Sequence, residues 1–131
     1  TTSYISATIS GGTTSYNGGI IGYIATTGTI ERCYATGDVT GRYSGGLIGH
    51  INTGSVKESY ASGTMTGRYN GGLIGYYYST ILTDVYALGN LTQDYSNSGL
   101  VYYGSGKITN AYSLGLSYYP VCSGCPSTYI M

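Results

Sequence analysis

The sequence predicts an all-β chain of stacked parallel coils, a parallel β-helix or β-solenoid of about four coils with a repeat of about 26 residues. Three observations carry this prediction. Glu, Lys and Gln, which usually cover helix surfaces, number five among 131 residues, whereas 23 Gly and 18 Tyr accompany abundant Thr, Ser and Ile. The segment Gly18 to Ser44 recurs as Gly45 to Asn70, and more loosely from Gly71 and from Ser98. Each unit also breaks into short β-prone pieces between glycine corners, too short for the hairpin-joined strands of a propeller. Stacked as parallel coils, every such piece finds backbone partners about 4.8 Å above and below.

Taken in order, residues 1–17 form a partial opening coil, because Tyr4 to Gly11 echoes Tyr34 to Gly41. Coils follow at 18–44, 45–70, 71–97 and 98–117. Slips of one residue occur at Tyr23 to Thr27 and at Ser96 to Ser98, both turn positions. Residues 118–131 abandon the repeat and form a non-repeat tail or cap. Its Tyr118, Tyr119, Val121, Tyr129, Ile130 and Met131 are β-prone or apolar, while Pro120 and Pro126 prevent continuous pairing. Such a tail is expected to dock, as its own cap or across to a neighbouring subunit by strand addition. A chain that starts at Thr1 reads as processed or cut from a longer protein.

The interior is assigned to ladders that recur in phase: Ile30, Val56, Leu82 and Ile108; Val39, Met65 and Leu91; Leu47, Leu73 and Leu100. The small residues Ala35, Ala61 and Ala87, and Cys33, Ser59, Val85 and Ala111 two positions earlier, point inward as well. Side-chain alternation then turns Tyr34, Tyr60, Tyr86 and Tyr112 outward as a candidate interaction ladder, with Tyr16, Tyr43, Tyr69 and Tyr95 as a second. Stacking sets Glu31 beside Lys57, Arg32 beside Glu58 and Arg68 beside Asp94, although Arg42 with Arg68 and Glu58 with Asp84 oppose that register. Such pairs tune register at about 0.2–1 kcal/mol each, and the apolar ladders drive folding.

A formal charge of +0 leaves no electrostatic footprint for nucleic acid or for an anionic membrane surface. No apolar stretch reaches the roughly 20 residues of a membrane helix, so no membrane insertion is expected. The single His50, whose repeat mates are Tyr23 and Tyr76, fits a surface or corner role better than that of a general base. Glu58 and Asp84 read as a solvated corner rather than a glycosidase pair. Cys122 and Cys125 have knuckle spacing, but zinc needs two more ligands, so a local disulfide is the better reading. No catalytic residue, metal site or cofactor is therefore expected, and the chain is read as not an enzyme. Asn90 heads a possible N-glycosylation acceptor, Asn90-Leu91-Thr92. The hydroxyl row Ser10, Thr40, Thr66, Thr92 and Ser117 lacks the paired rank of an ice-binding array.

With these residues set out, the units resemble the GLUG motif. The matching stretches are Gly18-Gly19-Ile20-Ile21-Gly22, Gly28-Thr29-Ile30, Cys33-Tyr34-Ala35-Thr36-Gly37 and Val39-Thr40-Gly41, with a second copy from Gly45 to Gly67. The resemblance covers roughly Gly18 to Leu116; the third and fourth copies depart at Thr80-Ile81 and at Val101-Tyr102. It implies a tandem-repeat region of a large secreted or surface protein of adhesin type, and it carries over no catalytic residue. The expected role is a structural or adhesive rod, extracellular or on the cell surface, self-associating into a filament. A glycan- or ice-binding module, or a spacer repeat of a larger adhesin, is the alternative.

Overall fold

Pieces of sequence that recur at a fixed period pair best with their own copies, and the computed structural model is built on that rule. The described residues are 3–11, 16–92, 96–117, 119, 121–124 and 129–130. Their strands are, in order, β1 (Ser3–Ile5), β2 (Ile9–Ser10), β3 (Ile21–Glu31), β4 (Cys33–Ala35), β5 (Val39–Thr40), β6 (Ile48–Ala61), β7 (Met65–Thr66), β8 (Ile74–Ala87), β9 (Leu91–Thr92), β10 (Val101–Ser113), β11 (Cys122–Gly124) and β12 (Tyr129–Ile130). Every pairing between them is parallel. One sheet runs β1-β4-β6-β8-β10-β11, with β3 on β6 and β12 on β10; the second runs β2-β5-β7-β9. The chain is a β-solenoid of about four coils.

Register follows the repeat. Tyr34 sits on Tyr60, Tyr60 on Tyr86 and Tyr86 on Tyr112, while Val56 lies between Ile30 and Leu82. The extra residue of the first coil is absorbed in a shift between Ile24 and Thr27, at the turn position where the sequence places it. In the opening coil, Tyr4 pairs with Tyr34 and Ile9 with Val39.

The pieces are longer than the sequence suggests. Two of the expected segments fuse into single strands of 14 residues, β6 and β8. The reason is a bend that does not interrupt pairing: Arg32, Glu58, Asp84 and Asn110 all adopt positive φ, between 47° and 54°. This left-handed residue resets the alternation, so Lys57 and Glu58 both face outward while Val56 and Ser59 both face inward. Holding a non-glycine residue there costs roughly 1–2 kcal/mol, which the stacked ladder offsets.

The glycine pairs make the opposite corner. A Cβ on Gly46 would overlap the carbonyl oxygen of Gly72 in the next coil and lie 2.7 Å from the Ala61 Cβ, so only glycine permits this approach.

The interior divides in two. Leu47, Leu73, Leu100, Val56, Leu82 and Ile108 lie fully buried in the larger cluster, with Ala35, Ala61 and Ala87 among them. Val39, Met65 and Leu91 form a separate cluster with Ile9 behind the smaller sheet. Ile30 is only half-buried, because β3 has no strand on its outer side among the described residues. Each fully buried aliphatic side chain contributes about 1.5–3 kcal/mol. Tyr77 is also fully buried, at the position held by Ile51 in the coil before it. Gly104 faces it, and a Cβ there would overlap the Tyr77 carbonyl oxygen, so the larger ring and the missing side chain are matched.

The described parts of the tail pair within the chain. Cys122 pairs with Val101, and Ile130 pairs in register with Ile108. This is the own-cap form of the expected docking, since β10 offers β11 and β12 the same parallel edge that every earlier coil uses. Tyr118, Pro120, Cys125, Pro126 and Met131 lie outside the described residues.

Candidate functional site

Outward-pointing residues at a constant period must form columns, and two aromatic surfaces result. The first is the ladder Tyr34, Tyr60, Tyr86 and Tyr112. Successive ring centroids are 4.6, 4.8 and 5.1 Å apart, with interplanar angles of 29°, 5° and 3°. Rings so stacked cover each other's faces and leave only edges and hydroxyls to solvent. A sugar ring stacking on a tyrosine needs an open face, so along Tyr60 and Tyr86 this column offers glycans hydroxyl edges, and a free face remains at the Tyr112 end. Burial, with the neighbouring phenols, pushes the Tyr86 hydroxyl up. Tyr4 holds the next register position, but its hydroxyl is directed to Thr36 Oγ1 at 3.2 Å.

The second surface gathers more than the predicted ladder. Tyr43 and Tyr69 stack at 5.2 Å, Tyr16 meets Tyr43 at a tilt, and Tyr95 lies outside the described residues. Beside this column, on β3, β6, β8 and β10, stand Tyr23, His50, Tyr76 and Tyr102, so that Tyr76 touches Tyr16, Tyr43, His50 and Tyr102 at once. Arg42 sits 5.3 Å from the Tyr43 ring and 5.0 Å from Tyr69. The result is a packed aromatic layer on the outside of the coil. Burial, reinforced by four nearby phenols, raises the Tyr76 hydroxyl far above the usual phenol range.

His50 is not at the surface. It is 7% exposed, edge-on to Tyr16 and Tyr23 at 4.7 Å each. Its Nε2–H donates to Asn52 Oδ1 at 3.0 Å, and its buried Nδ1 has no hydrogen-bond partner among the described residues. Desolvation lowers its pKa, partly opposed by the Asn52 bond, and the neutral ring is favoured. The sequence signal was present: a histidine whose repeat mates are Tyr23 and Tyr76 packs as they do.

Sequence reasoning missed a buried polar ladder. Asn17, Ser44, Asn70 and Asn97 precede the glycine corners, and the last three are fully buried. Asn17 Nδ2 donates to Ser44 Oγ. Asn70 Oδ1 accepts from the Ser44 N–H at 2.9 Å, and Asn97 Oδ1 accepts from the Asn70 N–H at 3.0 Å. Asn70 and Asn97 also donate to the carbonyls of Gly41 and Gly67. Each amide thus satisfies backbone groups that the corner leaves unpaired.

The remaining candidates scatter. Glu31 lies opposite Lys57 in the ladder, yet its carboxylate pairs with the adjacent Arg32 at 3.4 Å, because the left-handed bend turns that guanidinium back. Asp94, the expected mate of Arg68, lies outside the described residues. Asp38 Oδ1 accepts from the Thr64 N–H, and Thr92 Oγ1 lies 3.3 Å from Thr66 Oγ1, so these groups bond along the axis rather than outward. Asn90 is exposed with its Oδ1 accepting from the Leu116 N–H at 2.9 Å. Cys33 carries a free thiol against the larger core, and Cys122 is disulfide-bonded, while Cys125 lies outside the described residues. Among the described residues no three His, Cys, Asp or Glu side chains gather as metal ligands.

These columns repeat the stretches Gly-Gly-Ile-Ile-Gly and Cys-Tyr-Ala-Thr-Gly, and the family model described as "The GLUG motif" matches residues 13–40. The chain carries a GLUG motif. The matched GLUG unit spans β3, β4 and β5, which is one turn of the coil. The later coils reproduce its register, and the repeat and fold together fit a structural repeat module. Comparison with curated proteins and with solved structures gave no match.

Proposed function

We propose that this GLUG-repeat solenoid is a non-catalytic structural rod of a secreted or cell-surface assembly, and that it self-associates through its tyrosine faces into a filament. The observation that carries the reading is the pair of tyrosine surfaces running along successive coils, in a chain with only five basic and five acidic residues. Aromatic side chains that are rigid, amphipathic and sparsely charged are favourable contact surfaces, and lone soluble domains usually carry more surface charge. The stack itself supports a mechanical role, since each coil is held to the next by a ladder of backbone hydrogen bonds. Glycan binding is the weaker reading, because the rings inside the column cover one another's faces and only the Tyr112 end is shown to keep one open.

The test is sedimentation of the intact chain over a range of concentrations, with negative-stain microscopy of native material. Concentration-dependent assembly, weakened by Tyr112→Ser and Tyr23→Ser together, is expected. A chain that stays monomeric at high concentration overturns self-association and leaves a rod-like spacer. Labelling of intact cells with an antibody against the coil tests the location.

A further inference from the structure

The column Tyr34–Tyr60–Tyr86–Tyr112 has a property that packing alone does not require. Its four phenols stack nearly parallel at 4.6–5.1 Å and stay within one continuous line. Phenols are the most readily oxidised rings in a chain that lacks Trp, and close parallel stacking brings the π orbitals of neighbours into overlap. The line ends on Tyr112, which is 48% exposed and has no ring on its other face among the described residues. The inner members Tyr34, Tyr60 and Tyr86 are half-buried and hemmed in by their neighbours.

We propose that this column is an oxidative modification site: a one-electron oxidant of the haem-peroxidase or photo-oxidant class makes a tyrosyl radical on any of its rings, the radical migrates along the stack, and it is fixed at Tyr112 as a dityrosine bond to a second copy of the chain. The steps balance. The oxidant takes one electron, and the phenolic proton leaves to water, giving the neutral radical. Each transfer passes one electron and one proton from the next phenol to the radical, restoring the first phenol. At the end, two Tyr112 radicals on two chains join through their ortho carbons. The hydrogen on each ortho carbon then moves to its oxygen, so both phenols are regenerated. Net, two chains lose two electrons to two equivalents of oxidant and two protons to water. Coupling is fixed at Tyr112 because it is the most exposed ring of the column and keeps a face open to a second chain, whereas Tyr60 and Tyr86 carry a ring on both faces. The inference goes beyond the structural role, and migration within one chain can be read whether or not filaments form.

The experiment places the oxidant at the far end. Tyr4 is exposed and one register below Tyr34, so Tyr4→Cys in a Cys33→Ser background is labelled with a ruthenium tris-bipyridyl maleimide. It is then illuminated with a cobalt(III) ammine as electron acceptor. Oxidised and cross-linked tyrosines are mapped by peptide mass spectrometry, with dityrosine fluorescence as a second readout. The expected result is cross-linking at Tyr112, reduced severalfold by Tyr60→Phe and by Tyr86→Phe. Phenylalanine preserves the stack and the fold but is much harder to oxidise, and unchanged circular dichroism checks that each variant is folded. Modification confined to Tyr34, or cross-linking at Tyr112 that both phenylalanine variants leave unchanged, overturns the proposal.

Discussion

Val56→Asp is the most direct test of the stacked interior. Val56 is fully buried between Ile30 below and Leu82 above, within the larger cluster. Replacing it removes about 2 kcal/mol of apolar burial. An aspartate there has no partner charge, so at neutral pH it must either stay ionised in the core or take up a proton. Neutralising a carboxyl of ordinary pKa about 3.9 at pH 7 costs about 4 kcal/mol at about 1.36 kcal/mol per unit, making the total roughly 6 kcal/mol. Domain stabilities are about 5–15 kcal/mol, so the variant should be unfolded or barely folded at pH 7. Thermal and denaturant unfolding followed by circular dichroism measure this, with Val56→Ala, expected to cost about 1–2.5 kcal/mol, as the size control. The charge term has its own signature: the gap between Val56→Asp and the parent should narrow as pH falls and the carboxyl is neutralised. A melting temperature within about 2 °C of the parent would show that this column does not form the interior.

Asn70→Ala leaves the buried Ser44 N–H and Gly41 carbonyl without partners, and should lower stability by about 2–5 kcal/mol in denaturant titration; a loss under about 1 kcal/mol removes the polar ladder from the account of the corners. At the left-handed bend, Glu58→Gly should be neutral or stabilising by up to about 1 kcal/mol, whereas Glu58→Val should destabilise, and equal effects of the two in urea would contradict a strained φ. His50 has a folded-state pKa below its unfolded value, so the unfolded chain binds more protons as pH drops: stability should be full above about pH 6.5 and fall below it, and His50→Tyr should remove that slope in melts between neutral and acidic pH. Gly104→Ala should destabilise sharply in denaturant titration, because its Cβ meets the Tyr77 carbonyl oxygen on a backbone at positive φ, and a smaller side chain at Tyr77 should not rescue it in a double-mutant cycle.

The sequence alone determined the period, the parallel stacking and most of the interior, because a strict repeat leaves one register in which like residues stack and the apolar ladders of Val56 and Met65 all close. It also determined that the Tyr34 and Tyr43 series share faces, since alternation along a strand is a local rule. It did not show the left-handed bend at Glu58, where backbone dihedrals are set by the need to turn a continuous ladder and no residue preference at Arg32, Glu58 or Asp84 announces it. From its repeat mates Tyr23 and Tyr76 it gave His50 a surface or corner role; only the packing of Tyr16, Tyr23 and Tyr76 around it, from three different coils, made it buried and its neutral form favoured. The asparagine ladder was equally invisible, since its amides answer to corner carbonyls a full coil away. The fate of the tail was decided by tertiary structure too: its residues show only that they are β-prone, whereas the free parallel edge of β10 is what fixes Cys122 over Val101 and Ile130 over Ile108.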